Sequence, residues 1–123
     1  MVKILYVEDN PQNMRLVRKM LKGNNYDLIE APDGCSALQV AMREMPDLIL
    51  MDINLPDIDG LEVTNRLRAE PDFPEVPIIA LTANAMIGDK ERFLNGGCDG
   101  YIAKPVSRRE LLSTIEQYLG VEV

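Results

Sequence analysis

Apolar residues in this chain gather into five short unbroken runs, and between the runs they recur at every third or fourth position. Continuous runs bounded by turn residues predict strands, and the wider spacing predicts amphipathic helices. The strands read as Lys3 to Val7, Asp27 to Ala31, Leu48 to Asp52, Pro77 to Leu81 and Gly100 to Ala103. In the first, third and fourth, the stretches Ile-Leu-Tyr-Val, Leu-Ile-Leu-Met and Ile-Ile-Ala-Leu carry no polar alternation. Such strands are covered by helices on both faces of a parallel sheet, and the middle three of the five strands are expected to form the deep core.

The helices begin in capping chemistry. Asn10-Pro11 supplies an N-cap and a first-turn proline, with Met14, Val17 and Leu21 following on one face. Asp33 caps a helix carrying Leu38, Ala41, Met42 and Met45. Asp59-Gly-Leu-Glu62 and Ser107-Arg-Arg-Glu110 both fit the capping box, and the last helix buries Leu111, Ile115 and Leu119. A fourth helix, over about Ile87 to Asn95, runs through Gly88, Asp89, Lys90, Glu91 and Arg92 and has few apolar anchors. It is expected to be the least tightly held.

A βα unit repeated five times needs right-handed crossovers, and covering both faces requires one reversal of winding. The expectation is an α/β, three-layer flavodoxin-like fold, with a five-stranded parallel sheet in order 2-1-3-4-5 and helices on both faces. The whole chain, 1–123, reads as one domain with no effector domain after Leu119.

Composition narrows the function. With 46% hydrophobic and 27% charged residues the chain is ordinary for a globular domain. Thirteen Lys and Arg against twenty Asp and Glu leave a net charge of −7, which repels nucleic acid and anionic lipid. Runs such as Leu48 to Met51 are too short to span a bilayer, and Met-Val-Lys leading to Glu8-Asp9 is no secretory or transit peptide. No membrane insertion and a cytoplasmic location are expected. Cys35 and Cys98, in a chain without histidine, leave no zinc site and no Cys-His or Ser-His catalysis; both read as small buried apolar residues.

In sheets of this order the ligand site lies beyond the carboxyl ends of the strands, between strands one and three. There the first strand ends in Glu8-Asp9, the third in Asp52, the fourth in Thr82 and the fifth in Lys104-Pro105. Three converging carboxylates repel, so without a cation at least one takes up a proton near neutrality. Magnesium, with its preference for oxygen ligands and retained waters, is the natural counter-ion, and Mn²⁺ a substitute. Each residue also has a plainer reading: a strand-end acid caps the next helix, Thr82 forms a turn, Lys104 sits on the surface and Tyr101 is a half-buried strand aromatic. Asn10 and Asp59 are the better-placed caps, however, which leaves the acids for chemistry. Lys104, directly before proline, is held extended, and Lys104-Pro105 is a candidate cis peptide at Pro105.

Taken together, Glu8-Asp9, Asp52 in Met-Asp-Ile-Asn-Leu-Pro-Asp-Ile-Asp-Gly, Thr82-Ala83 and Lys104-Pro105 resemble the receiver domain of two-component response regulators, the CheY-like family. The resemblance runs from Val2 to Leu119. Ala80-Leu-Thr-Ala-Asn-Ala-Met and Gly97-Cys-Asp-Gly-Tyr-Ile-Ala-Lys-Pro are similar to stand-alone regulators of the DivK type and to receivers of hybrid kinases. The sequence departs from the family's commonest acidic pair only in Glu8, whose length favours a water-mediated metal contact.

The resemblance implies that Asp52 accepts a phosphoryl group from a histidine kinase or histidine phosphotransfer protein. It implies Mg²⁺ on Asp9, Asp52 and the Asn54 carbonyl, with Glu8 assisting through water. Thr82, Ala83 and Lys104 would bind the phosphate, Tyr101 would follow Thr82 as a switch, and Asn54 and Asn84 would flank the phosphate. Lys104 and Thr82 are expected to serve the phosphoryl group and not the folded core. Output would pass through a protein target on the face of the fourth helix, fifth strand and fifth helix, with the protein a monomer or a weak dimer on phosphorylation. Three other readings compete. A haloacid-dehalogenase-like phosphatase needs a second acid where Asn54 stands, and a flavodoxin-like mononucleotide binder needs a phosphate loop where Glu8-Asp9-Asn10-Pro11 stands. The third, a degenerate receiver, would lack the intact site.

Overall fold

Strands and helices alternate along the chain in a computed structural model that describes residues 1–83 and 89–120. The strands are β1 (Val2–Val7), β2 (Tyr26–Ala31), β3 (Leu48–Asp52), β4 (Ile78–Thr82) and β5 (Gly100–Ala103). Between and after them run α1 (Pro11–Leu21), α2 (Gly34–Glu44), α3 (Gly60–Ala69), α4 (Asp89–Asn95) and α5 (Arg108–Leu119). All strand pairs are parallel, in the order β2-β1-β3-β4-β5 that the repeated βα pattern predicts.

The two-residue strand period sorts the apolar side chains onto two faces. Leu5, Val7, Ile49, Met51, Ile78 and Ala80 pack with Ala37 and Ala41 of α2, Val63 and Leu67 of α3 and Phe93 of α4. Ile4, Tyr6, Leu48, Leu50, Ile79, Leu81 and Ile102 pack with Met14, Val17 and Leu21 of α1 and Leu111 and Ile115 of α5. β3 and β4 are buried at every position. Each fully buried Leu or Ile contributes about 1.5–3 kcal/mol, so the strand ending in Asp52 is, with β4, firmly anchored in the sheet.

Most caps fall where the sequence puts them. Asn10 accepts from Gln12 N and Asn13 N, Asp33 from Ser36 N, and Ser107 from Glu110 N. Four expectations need correction. Asp59 accepts from Leu61 N at 2.7 Å, and Glu62 turns outward to pair with Arg66, so the first capping box does not form. Cys35 is exposed while Cys98 is buried: the buried stripe of α2 is Gly34, Ala37 and Ala41, and Cys35 lies one helical step off it. Met45 leaves that stripe as well, because the backbone turns left-handed there, at φ 48°, and exposes the side chain. β4 is shifted one residue, taking in Thr82, whose carbonyl accepts from Lys104 N at 2.8 Å. Pro77 stays outside the strand as an acceptor for Ile49 N. Leu119 is half-buried against the α1 and α5 side of the core.

The expected start of the fourth helix, at Ile87 and Gly88, lies outside the described residues. Within them α4 holds to the core through Phe93, fully buried, while Leu94 is exposed. The turn after α4 is tied down at the amino-terminal edge of the sheet. Arg68 donates to Gly97 O at 3.1 Å and to Asp99 Oδ2 at 2.8 Å, and Tyr118 donates its hydroxyl to Asp99 O at 3.0 Å.

Candidate functional site

The carboxyl ends of β1, β3 and β5 bring acids and a base together. β1 continues its ladder as far as Glu8 N, which donates to Ala31 O. The Glu8 side chain then turns inward and is only 2% exposed. Its Oε1 accepts from the Tyr6 hydroxyl at 2.9 Å and from Lys104 Nζ at 2.8 Å, and its Oε2 accepts from Asn10 N at 3.3 Å. Asp9, the next residue, is exposed. Asp52 is buried at the end of β3, where Oδ1 accepts from Asn54 N at 3.1 Å and Oδ2 lies 3.2 Å from Lys104 Nζ. One oxygen from each of Glu8, Asp9 and Asp52 lies within 4.8 Å of the others.

Thr82 is buried at the end of β4, beside Ala103 of β5, and Ala83 after it is exposed. Lys104 reaches its two carboxylates from a cis peptide to Pro105. The pairing makes Lys104 part of the buried charge balance, contrary to the expectation that it serves the phosphoryl group alone. Tyr101 is 38% exposed, its ring tilted against Phe93 at 5.9 Å between centroids. Asn54 is exposed on the loop after β3. Asn84, read from the sequence as flanking the phosphate, lies outside the described residues.

Electrostatics follows from this geometry. Burial, then the Glu8 carboxylate, raise Asp52 from 3.8 to about 7 against the pull of Lys104 and Asn54 N. Burial presses on Glu8 as well, but hydrogen bonds from Asp52, Lys104 and Tyr6 outweigh it and hold that carboxyl low. Lys104 resists burial through the same partners and is raised. Tyr6, raised by burial and by Glu8, remains a hydroxyl donor at any ordinary pH.

Two contributors escaped the sequence reading. Tyr6 reads as plain core, although its place two residues before Glu8 on the same strand face was the available signal. Gly60 reads as part of a cap, yet a Cβ there would collide with the Asp52 carbonyl oxygen and stand 2.9 Å from Ile53 Cα. Glycine lets α3 start directly against the backbone of the acceptor strand.

Five parallel strands in this order, with an acidic cluster and a lysine at the switch point, define the CheY-like receiver class. The chain matches the family described as "Response regulator receiver domain" over residues 4–116, and it belongs to that family. It is 46% identical over 117 residues to the polar-differentiation response regulator DivK of Brucella anthropi, covering 95% of each chain. Among solved structures it is similar to the receiver domain of sensor histidine kinase PA1611 of Pseudomonas aeruginosa PAO1, which has a magnesium ion coordinated in its active-site cleft. That match has a TM-score of 0.89 and 42% identity over 98% of each chain. Chemotaxis protein CheY4 of Vibrio cholerae is also similar, with TM-score 0.90 and 29% identity over 97% of this chain and 99% of that one.

Proposed function

We propose that Asp52 is the phosphoryl acceptor of this response-regulator receiver, and that the observation carrying the reading is the buried Asp52 carboxylate, joined to Glu8 through the ammonium of Lys104. An ionised carboxylate needs no base to act as a nucleophile, which accords with a site built without histidine. A carboxylate oxygen of Asp52 attacks the phosphorus of a phosphohistidine; the new O–P bond forms, the N–P bond breaks, and the imidazole leaves with the electron pair. Phosphoryl transfer asks the protein chiefly for alignment and charge neutralisation. Lys104 supplies a compact positive charge, and Thr82, at the end of the adjacent strand, offers a hydroxyl donor to the transferred oxygens.

The donor set also fits a divalent ion. Oxygens of three carboxylates lie within 4.8 Å of one another, and Lys104 pairs with two of them, Glu8 and Asp52. Asp9, Asp52 and the Asn54 carbonyl, with Glu8 assisting, would hold Mg²⁺. Bound there, the ion supplies counter-charge to the carboxylate and the phosphoryl oxygens. The chain thus promotes its own phosphorylation and dephosphorylation and turns over no other substrate. Its donors are histidine kinases or phosphotransfer proteins, and its output face is α4, β5 and α5, with Tyr101 following Thr82. No helix among the described residues is long and apolar enough to cross a membrane.

Incubation with acetyl phosphate and Mg²⁺, read by intact mass, tests the assignment. Wild type should gain one phosphoryl group, and Asp52→Asn, or wild type with chelator, none. Equal labelling of Asp52→Asn would overturn it.

A further inference from the structure

The first amides of a helix have no upstream carbonyl to bond, and α2 meets only part of that demand from its own sequence. Asp33 accepts from Ser36 N at 2.7 Å. The two preceding amides are satisfied from elsewhere: Asp57 Oδ1 accepts from Gly34 N at 2.8 Å and its Oδ2 from Cys35 N at 2.9 Å. Asp57 lies in the loop from β3 to α3, the same loop that carries Asn54. The two amides hold its carboxyl well below the usual carboxylate range, so the tie stays ionised in any physiological buffer.

A second contact closes the same seam. A Cβ on Gly34 would stand 2.5 Å from Ile58 Cγ1 and 3.0 Å from Val63 Cγ2, so helix and loop approach as closely as glycine permits. The loop is pinned at its start by Asn54 N on Asp52 Oδ1, and its two ends are joined by Gly60 N on the carbonyl of Ile53, the residue directly after the acceptor strand, at 3.0 Å. Between these ends, the bidentate grip of Asp57 fixes the middle of the loop to α2.

We propose that Asp57 is a positioning residue for phosphoryl acceptance: by tying the β3–α3 loop to the first turn of α2 it holds the Asn54 segment beside Asp52 and sets the affinity for Mg²⁺. The proposal rests on the reading of Asp52 and Asn54 given above. Asp57 touches neither phosphoryl group nor metal and acts through the backbone it restrains. The competing account is a second cap for α2 that adds stability and nothing else. Asp33 separates the two, because it caps the same turn without reaching the loop.

The experiment is a Mg²⁺ titration of the full chain, followed by calorimetry or amide shifts, on wild type, Asp57→Ala, Asp57→Asn and Asp33→Ala. Asp57→Ala should weaken Mg²⁺ binding about tenfold, the scale seen when an outer partner of a metal ligand is lost. Asp57→Asn keeps one acceptor and should fall between wild type and Asp57→Ala. Asp33→Ala should lower the unfolding midpoint yet leave Mg²⁺ affinity at the wild-type value. At saturating Mg²⁺, labelling of Asp57→Ala by acetyl phosphate should return to the wild-type rate. Equal Mg²⁺ affinity in Asp57→Ala and Asp33→Ala would reduce Asp57 to a cap and overturn the proposal. If Asp57→Ala does not fold, Asp57→Asn decides, and a wild-type Mg²⁺ affinity in that variant overturns it. Failure of the Asp52 reading would show separately, as labelling of Asp52→Asn run alongside.

Discussion

Lys104 sets one ammonium between two buried carboxylates, and removing it leaves both facing each other. Unpaired buried acceptors cost about 1–3 kcal/mol, so Lys104→Ala should lose about that much stability in urea unfolding without Mg²⁺, and less with it. Proton binding gives a companion prediction. Between its unfolded value of 3.8 and its folded value of about 7, Asp52 keeps a proton that the unfolded chain has released. The stability this brings is full below the lower value and is lost as pH rises through the upper one. Glu8, lowered, runs oppositely: its contribution is present above its unfolded value of 4.5 and is lost only in strong acid. A divalent cation takes the place of the Asp52 proton, so the gain in melting temperature on adding Mg²⁺ should be larger at about pH 8 than at about pH 5.5. An equal gain at both would mean that the ion binds elsewhere. The residue types at this edge were legible in the sequence because strand ends in a parallel sheet converge. The strand period puts Tyr6 on the face of Glu8, but the contact of Asn10 N with Glu8 was not legible, since it depends on the rotamer that turns the Glu8 side chain onto the backbone just after it.

Among the elements, α3 begins where it does because Gly60 lets its first turn lie against the acceptor strand. Gly60→Ala should push the helix off the Asp52 backbone and destabilise the fold by about 1–3 kcal/mol, as overpacking does. Labelling should slow as well; a variant with wild-type stability would show that the approach relaxes freely. Strand and helix identities were readable because continuous apolar runs and helical spacing differ in period. What failed lay at element ends. Cys35 and Met45 stand one step off a stripe or past its last turn, where the pattern says least. Asp57 was illegible for another reason: its partners Gly34 and Cys35 lie on a different element, and a cap supplied from a distant loop leaves no local spacing to read.

Across the molecule the two ends of the sheet are built differently. At the amino edge Arg68, Asp99 and Tyr118 clamp the turn into β5, while the carboxyl edge carries the cluster of Glu8, Asp9, Asp52 and Lys104, and the exposed Tyr101 lies between the two, in register with Ala80. Moving a two-state equilibrium from about 1% to 99% active needs about 5.5 kcal/mol of differential interaction, within reach of charge-assisted bonds from Thr82 and Lys104 together with metal contacts. Amide exchange with and without a beryllofluoride mimic should therefore change most in α4, β5 and α5. Changes confined to α2 and α3 would move the output surface there. The ion pair of Lys104 with Glu8 joins residues 96 positions apart, and it has a consequence for biosynthesis. Glu8, Asp9 and Asp52 are all translated before their lysine, so the sheet can assemble as far as β4 on the ribosome with its acidic edge uncompensated. The arrival of Lys104, directly after β5, supplies the missing ammonium.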